Sequence, residues 1–142
     1  MELKSLLMRV ERIDNFDDLE IPFRAIATNI NIGESQAMGE GDLAKAVFMS
    51  MAIPTIFEPV EDNGEFYIDG GLVNNLPVQE VLNMGADIVI AVDISADETI
   101  IKDNSNLAQI MDKISTYRSG EEFKKATELA DILIVPDVKK IR

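Results

Sequence analysis

An aspartate followed by two glycines is the first candidate for chemistry in this sequence. Asp69 comes directly after Phe66-Tyr67-Ile68, whose residues favour a β-strand, and directly before Gly70-Gly71. Glycine permits backbone angles and close approaches that a side chain would forbid. Ligands of α/β proteins commonly bind at the carboxyl ends of strands, so we predict that Asp69 is presented there as a general base. The alternative is structural, because the aspartate of an Asp-Gly pair often only accepts hydrogen bonds from nearby amides in a turn.

Two residue types that carry much of enzyme chemistry are absent from the sequence, which contains no histidine and no cysteine. Their absence excludes a Ser-His-Asp triad, a thiol nucleophile, and imidazole or thiolate metal ligands within this chain. A general base must therefore be a carboxylate, a lysine or a tyrosine. The acids around Asp62 lack the spacing of a calcium loop, so we predict a solvated turn there and neither a metal nor a cofactor.

Two serines are candidate nucleophiles. Ser35 lies in Gly33-Glu34-Ser35-Gln36-Ala37, which approaches the pattern of a nucleophile elbow. Gly39 and Gly41 occupy the positions where the elbow's helix would begin, and each glycine costs a helix about 1 kcal/mol relative to alanine. We therefore expect a hairpin turn at Ser35. Ser50 has no flanking glycines and is expected to be a small residue that packs in a helix.

Asp93 follows a long apolar stretch, as does the acid that binds ribose in dinucleotide-binding folds. The glycine fingerprint that precedes such an acid is missing. We therefore expect a structural or solvent-facing role for Asp93, and a nucleotide-binding domain is disfavoured.

The elements that would position these residues alternate between helix and strand. Asp42 is a predicted helix cap, Asn63-Gly64 a predicted hairpin turn, and Gly85 a predicted left-handed residue after a helix. The predicted strands are 23–32, a segment ending at Asp69, 86–94 and 131–135; the predicted helices are Met1 to Arg12, 43–51, one from Pro77, one over 107–114 and one over 121–129; residues 14–20 are a predicted loop. The β-branched run 86–94 is typical of a central parallel strand that is covered on both faces. We predict an α/β fold in which helices flank a mainly parallel sheet, formed as one domain over residues 1–142.

Composition restricts the function classes. The 142 residues are 46% hydrophobic and include 26 acidic and 13 basic side chains, which give a formal net charge of −13. That charge disfavours nucleic acid and anionic membrane surfaces as partners. No apolar run is long enough to span a bilayer, and the first residues lack the pattern of a signal peptide. We expect a soluble protein, with the cytoplasm as the candidate compartment.

Taken in order, these motifs resemble the carboxyl-terminal part of a patatin-like phospholipase catalytic domain. The resemblance covers roughly Ile21 to Ile94. It is carried by Pro22-Phe23-Arg24-Ala25-Ile26-Ala27-Thr28, Gly41-Asp42-Leu43-Ala44-Lys45-Ala46-Val47, Ser50-Met51-Ala52-Ile53-Pro54, Phe57-Glu58-Pro59-Val60, Tyr67-Ile68-Asp69-Gly70-Gly71, Asn75-Leu76-Pro77-Val78 and Gly85-Ala86-Asp87, and residues 130–136 extend it. It implies part of a three-layer α/β/α domain.

The resemblance also implies a lipid acyl hydrolase that uses a serine and aspartate dyad, with a lipid or ester substrate and no cofactor. Asp69 would be the base, and Gly70 and Gly71 would shape the turn that aims it. The family's Gly-x-Ser-x-Gly elbow and glycine-rich oxyanion loop do not occur in these 142 residues. We therefore expect the chain alone to be inactive and to self-associate through an exposed sheet edge. The alternative is a noncatalytic interaction or regulatory module that retains the fold.

Overall fold

A computed structural model describes residues 14–95 and 107–137 of the chain. The helix predicted for Met1 to Arg12 lies outside these residues. The chain divides into two compact units, one up to Gly70 and one from Gly71. Within the described residues, no helix has both the length and the apolar character needed to cross a membrane.

The described elements of the first unit are four strands, one α-helix and a short 3-10 turn. They are the 3-10 turn Phe16–Asp18, β1 (Ala25–Asn29), β2 (Glu34–Met38), α1 (Leu43–Ser50), β3 (Val60–Asp62) and β4 (Glu65–Asp69). The strands form one sheet in the order β2-β1-β4-β3, and every pairing is antiparallel. β1 is therefore an inner strand, and all five of its residues are buried.

Helix α1 begins where the sequence predicts it. The Asp42 carboxylate accepts a hydrogen bond from the backbone N–H of Lys45, at 2.9 Å, which satisfies one of the unpaired amides of the first turn. The helix buries Met49 against Ala27 and Tyr67 of the sheet. The chain from 14 to 20 is not a simple loop as predicted, because Phe16 is buried in a second apolar cluster and lies in a 3-10 turn.

The described elements of the second unit are two helices and two strands. They are α2 (Val78–Asn83), β5 (Ile90–Val92), α3 (Leu107–Leu129) and β6 (Ile132–Ile134), and the 3-10 turn Gly70–Leu72 joins β4 to this part of the chain. β5 and β6 pair in parallel. The core consists of Leu76, Val78, Val89, Ala91 and Ala126. The Asp131 carboxylate accepts a hydrogen bond from the Val89 N–H, at 2.8 Å, just before the two strands pair.

Three expectations about the elements differ from the structure. The prediction of a mainly parallel sheet is not confirmed, because the four-stranded sheet is antiparallel and, among the strands that the structure describes, only β5 and β6 pair in parallel. The predicted strand 86–94 is paired over Ile90–Val92 alone, opposite an equally short β6. The two helices predicted over 107–114 and 121–129 are one continuous helix, in which Gly120 is tolerated within the run of helical hydrogen bonds.

Candidate functional site

Asp69 is the last residue of β4 and lies directly opposite Ala27 of β1. Its side chain is half-buried. Residues that are directly paired across two strands share a face of the sheet, and successive residues along a strand alternate between faces. Asp69 therefore projects on the face that carries Ala27 and Tyr67, which is the face covered by α1.

Both peptide groups that flank the Asp69 Cα atom are held by hydrogen bonds. The Asp69 N–H donates to the carbonyl oxygen of Ala52, which follows α1, at 3.1 Å. The Asp69 carbonyl oxygen accepts a hydrogen bond from the Thr28 hydroxyl, at 2.9 Å. Because each peptide group is planar, fixing the two groups fixes φ and ψ of Asp69. The direction of the Cα–Cβ bond is thereby set, and the carboxylate is left with its two side-chain torsions.

Gly70 is required here by a close approach to β1. A Cβ atom on Gly70 would lie 2.3 Å from the carbonyl oxygen of Ile26 and 2.6 Å from its carbonyl carbon. No side chain fits at these distances, so the backbone after Asp69 can lie against β1 only because residue 70 is glycine. Gly71 is half-buried in the 3-10 turn that follows. The sequence pattern indicated both glycines. It could not indicate why residue 70 must be glycine, because the close contact is with Ile26, which is distant in sequence.

A buried polar network lies on the same face of β4, one step before Asp69. Tyr67 Oη lies 2.9 Å from Glu65 Oε2 and 3.0 Å from Gln36 Oε1. The Asn29 side-chain amide donates to the same Glu65 oxygen. Burial, together with the hydrogen bond that the Tyr67 hydroxyl donates to Glu65 and the charge of that carboxylate, raises the pKa of Tyr67 above its usual value. Sequence reasoning missed this network, although the alternation of Glu65, Tyr67 and Asp69 could have placed their side chains on one face.

An open cavity of about 440 Å³ adjoins this network, between the sheet and α1. Its lining includes Arg24, Gln36, Met49 and Tyr67, together with the ion pair between Lys45 and Asp62. The predicted exposed turn follows at Asn63-Gly64, and Asp62 itself is the last residue of β3 and the half-buried partner of Lys45. The lining does not include Asp69, so this cavity is not the space in which Asp69 would meet a reacting group.

The remaining candidates lie elsewhere. Ser35 lies within β2, opposite Thr28, and the tight turn of the hairpin precedes it with Gly33 at φ 74°. The chain does form a hairpin here, but Ser35 lies in its second strand and not in the turn as predicted, nor does it lie on a strand-to-helix turn. Ser50 is the last residue of α1 and is half-buried. Asp93 accepts a hydrogen bond from the Ser95 N–H at 2.8 Å, which is a local contact of the kind expected.

Among residues 14–95 and 107–137, no group of three or more acidic side chains is arranged so that it could hold a metal ion.

Comparisons of this sequence with known proteins agree on one family. The sequence profile of the patatin-like phospholipase family matches residues 3–82. An uncharacterised NTE family protein of Mycobacterium tuberculosis is 35% identical over 82 residues, which is 58% of this chain and 23% of that protein. The mouse patatin-like phospholipase domain-containing protein 7 is 38% identical over 86 residues, or 58% of this chain and 6% of that protein. The human patatin-like phospholipase domain-containing protein 6 is 29% identical over 136 residues, or 94% of this chain and 9% of that protein. The chain thus spans less than a quarter of the length of each of these relatives.

Proposed function

Because this chain belongs to the patatin-like phospholipase family, we propose that it is the aspartate-bearing part of a lipid acyl hydrolase in which Asp69 is the general base. The observation that carries the proposal is the double restraint on Asp69. Its N–H is bonded to Ala52 and its carbonyl to Thr28, so the direction of the Cα–Cβ bond that carries the carboxylate is set. A general base needs this property, because catalysis depends on a reacting group that is already in place.

In the proposed reaction, the carboxylate acts on a serine that attacks an ester. The Asp69 carboxylate accepts the serine hydroxyl proton as the serine oxygen bonds to the ester carbonyl carbon. The tetrahedral intermediate then expels the alcohol, which takes the proton back from Asp69, and leaves an acyl-serine. A water molecule, deprotonated by Asp69 in the same way, attacks the acyl-serine and releases the carboxylic acid. Asp69 returns its proton to the serine oxygen, and the site is restored.

We further propose that the serine is supplied by a Gly-x-Ser-x-Gly segment that is not among these 142 residues. Ser35 does not suit this role, since it is paired with Thr28 while Asp69 is paired with Ala27. Thr28 and Ala27 are neighbours on β1, so Ser35 and Asp69 project on opposite faces of the sheet. The purified 142-residue chain is therefore expected to show no ester turnover above buffer.

The proposed substrate class is an ester of a lipid, because the relatives are named as phospholipase domain proteins. The proposal requires neither a cofactor nor a metal, because the carboxylate and a serine hydroxyl suffice for the proton transfers.

The test compares Asp69→Asn with a matched control in the native polypeptide that joins this sequence to its serine segment. The control is Asp17→Asn, which makes the same change at an exposed acid in the Phe16–Asp18 turn. We expect Asp69→Asn to lower kcat on a short-chain activated ester by about 10²- to 10⁴-fold, the usual contribution of a general base. Asp17→Asn and Ser35→Ala should keep wild-type kcat.

Two results would overturn the proposal. Full activity of a folded Asp69→Asn variant would remove Asp69 from catalysis. Turnover by the 142-residue chain alone that is abolished by Ser35→Ala would move the nucleophile into this chain.

A further inference from the structure

Thr28 occupies a position from which it can fix Asp69 without approaching the reacting side. It is the fourth of the five residues of β1, is 2% exposed, and is paired with Ser35 on one side and with Ile68 on the other. Its side chain projects on the face opposite to that of Asp69, because Ala27, its neighbour, is the residue paired with Asp69. The hydroxyl therefore bonds the Asp69 carbonyl from the face of the sheet opposite to the carboxylate.

The hydroxyl is the feature that distinguishes Thr28 from an apolar residue of the same shape. Valine would fill this buried position in an inner strand and would need no hydrogen-bond partner, whereas a buried hydroxyl is costly unless it is bonded. The described partner is the Asp69 carbonyl oxygen, at 2.9 Å. The branched side chain also restricts the hydroxyl to few rotamers, so the donor of this hydrogen bond is held in a defined position.

The restraint acts on one defined torsion. The Asp69 carbonyl and the Gly70 N–H belong to the same planar peptide group, whose orientation sets ψ of Asp69. Gly70, which contributes the N–H of this peptide group, lies against the Ile26 carbonyl, where no side chain fits. Without the Thr28 hydroxyl, the peptide group can rotate about the Cα–C bond of Asp69. The direction of the Asp69 side chain can then change.

We propose that Thr28 is a positioning residue for the base Asp69, holding the Asp69–Gly70 peptide group through its hydroxyl; this inference rests on the function proposed above. Thr28 does not touch substrate. It acts on the rate by keeping the carboxylate aligned with the serine, because small displacements of a reacting group reduce the rate steeply.

The first measurement uses the 142-residue chain and does not depend on activity. Amide hydrogen exchange at Asp69 and Gly70 is followed by NMR in wild type, Thr28→Val and Thr28→Ser. We expect Thr28→Val to accelerate exchange at these two amides by at least about tenfold, which corresponds to easier local opening. Thr28→Ser, which retains the hydroxyl, should restore slow exchange.

The matched control is Thr127→Val. The Thr127 hydroxyl also donates to a backbone carbonyl, that of Lys124 in α3, at 2.8 Å. This variant removes the same kind of bond and should leave the exchange at Asp69 and Gly70 unchanged. If Thr28→Val does not fold, Thr28→Cys keeps a similar side-chain volume with a much weaker donor and is expected to show the same acceleration to a smaller degree.

The second measurement uses the native polypeptide that carries the serine segment. We expect Thr28→Val to lower kcat by about 10- to 100-fold with little change in KM, because the loss concerns alignment in the transition state and not substrate binding. Thr28→Ser should recover most of kcat, and Thr127→Val should keep it. A purely structural role of Thr28 would lower the amount of folded enzyme without this separation of kcat from KM.

The outcomes separate this inference from the proposed function. If Asp69→Asn is inactive while Thr28→Val keeps full kcat or unchanged exchange at Asp69 and Gly70, Thr28 is not a positioning residue and the proposed function stands. If Asp69→Asn is fully active, the proposed function fails and the role of Thr28 fails with it. An equal loss in Thr127→Val would show an unspecific effect and would also overturn the inference.

Discussion

At the scale of single residues, Gly70 determines how closely the chain can follow β1 after Asp69. Replacing it with alanine would place a Cβ atom 2.3 Å from the Ile26 carbonyl oxygen, where backbone and not a flexible side chain must give way. We expect Gly70→Ala to lower the free energy of unfolding by about 1–3 kcal/mol, the usual cost of forcing extra volume into a packed region. Urea denaturation followed by circular dichroism measures this change.

A second glycine provides the control with the opposite sign. Gly120 lies within α3, and a Cβ atom there would meet no heavy atom within 4 Å. Gly120→Ala should therefore raise the free energy of unfolding by up to about 1 kcal/mol through helix propensity. Equal stability of Gly70→Ala and wild type would contradict the close approach to Ile26.

Tyr67 gives the protein an alkaline dependence of stability. Burial, and next the hydrogen bond and charge of Glu65, raise the pKa of Tyr67 in the folded state above the unfolded value of about 10. Between the two pKa values the folded state binds more protons than the unfolded state, so the free energy of unfolding falls as the pH rises. The stabilisation is complete below about pH 10 and is lost as the pH rises through the folded pKa.

Urea denaturation at a series of pH values from 8 to the alkaline limit tests this dependence, and Tyr67→Phe is the informative variant. Its stability at neutral pH should fall by about 1 kcal/mol through loss of the hydroxyl's bond, but the decline above pH 10 should be shallower than in wild type. Glu65→Gln should lower the pKa of Tyr67. If the free energy of unfolding declines above pH 10 as steeply in Tyr67→Phe as in wild type, groups other than Tyr67 cause the decline.

The sequence was informative about Asp69 and its glycines, because the Asp-Gly-Gly pattern is local. It could not indicate Thr28 or Ala52, which bond the two peptide groups of Asp69, since both contacts join residues far apart in sequence. Nothing in the residue type of Thr28 distinguishes a buried positioning hydroxyl from an ordinary strand residue. The contact becomes apparent only when β1 and β4 are paired.

At the scale of elements, local signals were the reliable ones. Asp42 caps α1, and Gly85 has the left-handed φ of 90° expected after a helix. Pairing direction was not predicted correctly, because a β-branched composition indicates burial and does not identify the neighbouring strand. The hairpins themselves could have corrected this, since a tight turn such as Asn63-Gly64 can join only antiparallel strands.

The turn between β3 and β4 offers a test at this scale. Asn63 and Gly64 both have positive φ, at 52° and 83°, as the tight hairpin turn requires. A Cβ atom on Gly64 would meet no atom within 4 Å, so the cost of Gly64→Ala is conformational. We expect this variant to lose about 1–2 kcal/mol of unfolding free energy in urea denaturation, from the left-handed backbone alone.

Asn63→Gly serves as the control for the hairpin, because glycine adopts the same positive φ readily. It should change the stability by only a few tenths of a kcal/mol. If Gly64→Ala proves as stable as Asn63→Gly, the turn does not hold the conformation described for it.

At the scale of the whole molecule, net charge opposes self-association and exposed apolar surface favours it. The sequence has a formal net charge of −13, which makes copies of the chain repel one another. The edge strands of the four-stranded sheet carry acids, among them Glu34 on β2 and Glu61 on β3, and such edges resist pairing with another chain. The short parallel sheet is different, because Ile90, Val92, Ile132 and Ile134 leave roughly half of their surface exposed on one face.

We propose that the expected self-association uses the β5–β6 sheet and is limited by charge repulsion. Screening weakens repulsion between surface charges, so the dimer fraction in sedimentation velocity should rise as NaCl is increased from 0.01 M to about 1 M, where the Debye length falls from about 30 Å to 3 Å. Val92→Lys should abolish this rise by placing a charge on the apolar face. Ile56→Lys makes the same charge change at an exposed isoleucine outside that sheet and should leave the rise in place. If the chain remains monomeric at every salt concentration, or if Val92→Lys still forms the dimer, the β5–β6 sheet is not the association surface. The proposed association depends on this apolar face once salt has screened the charge repulsion.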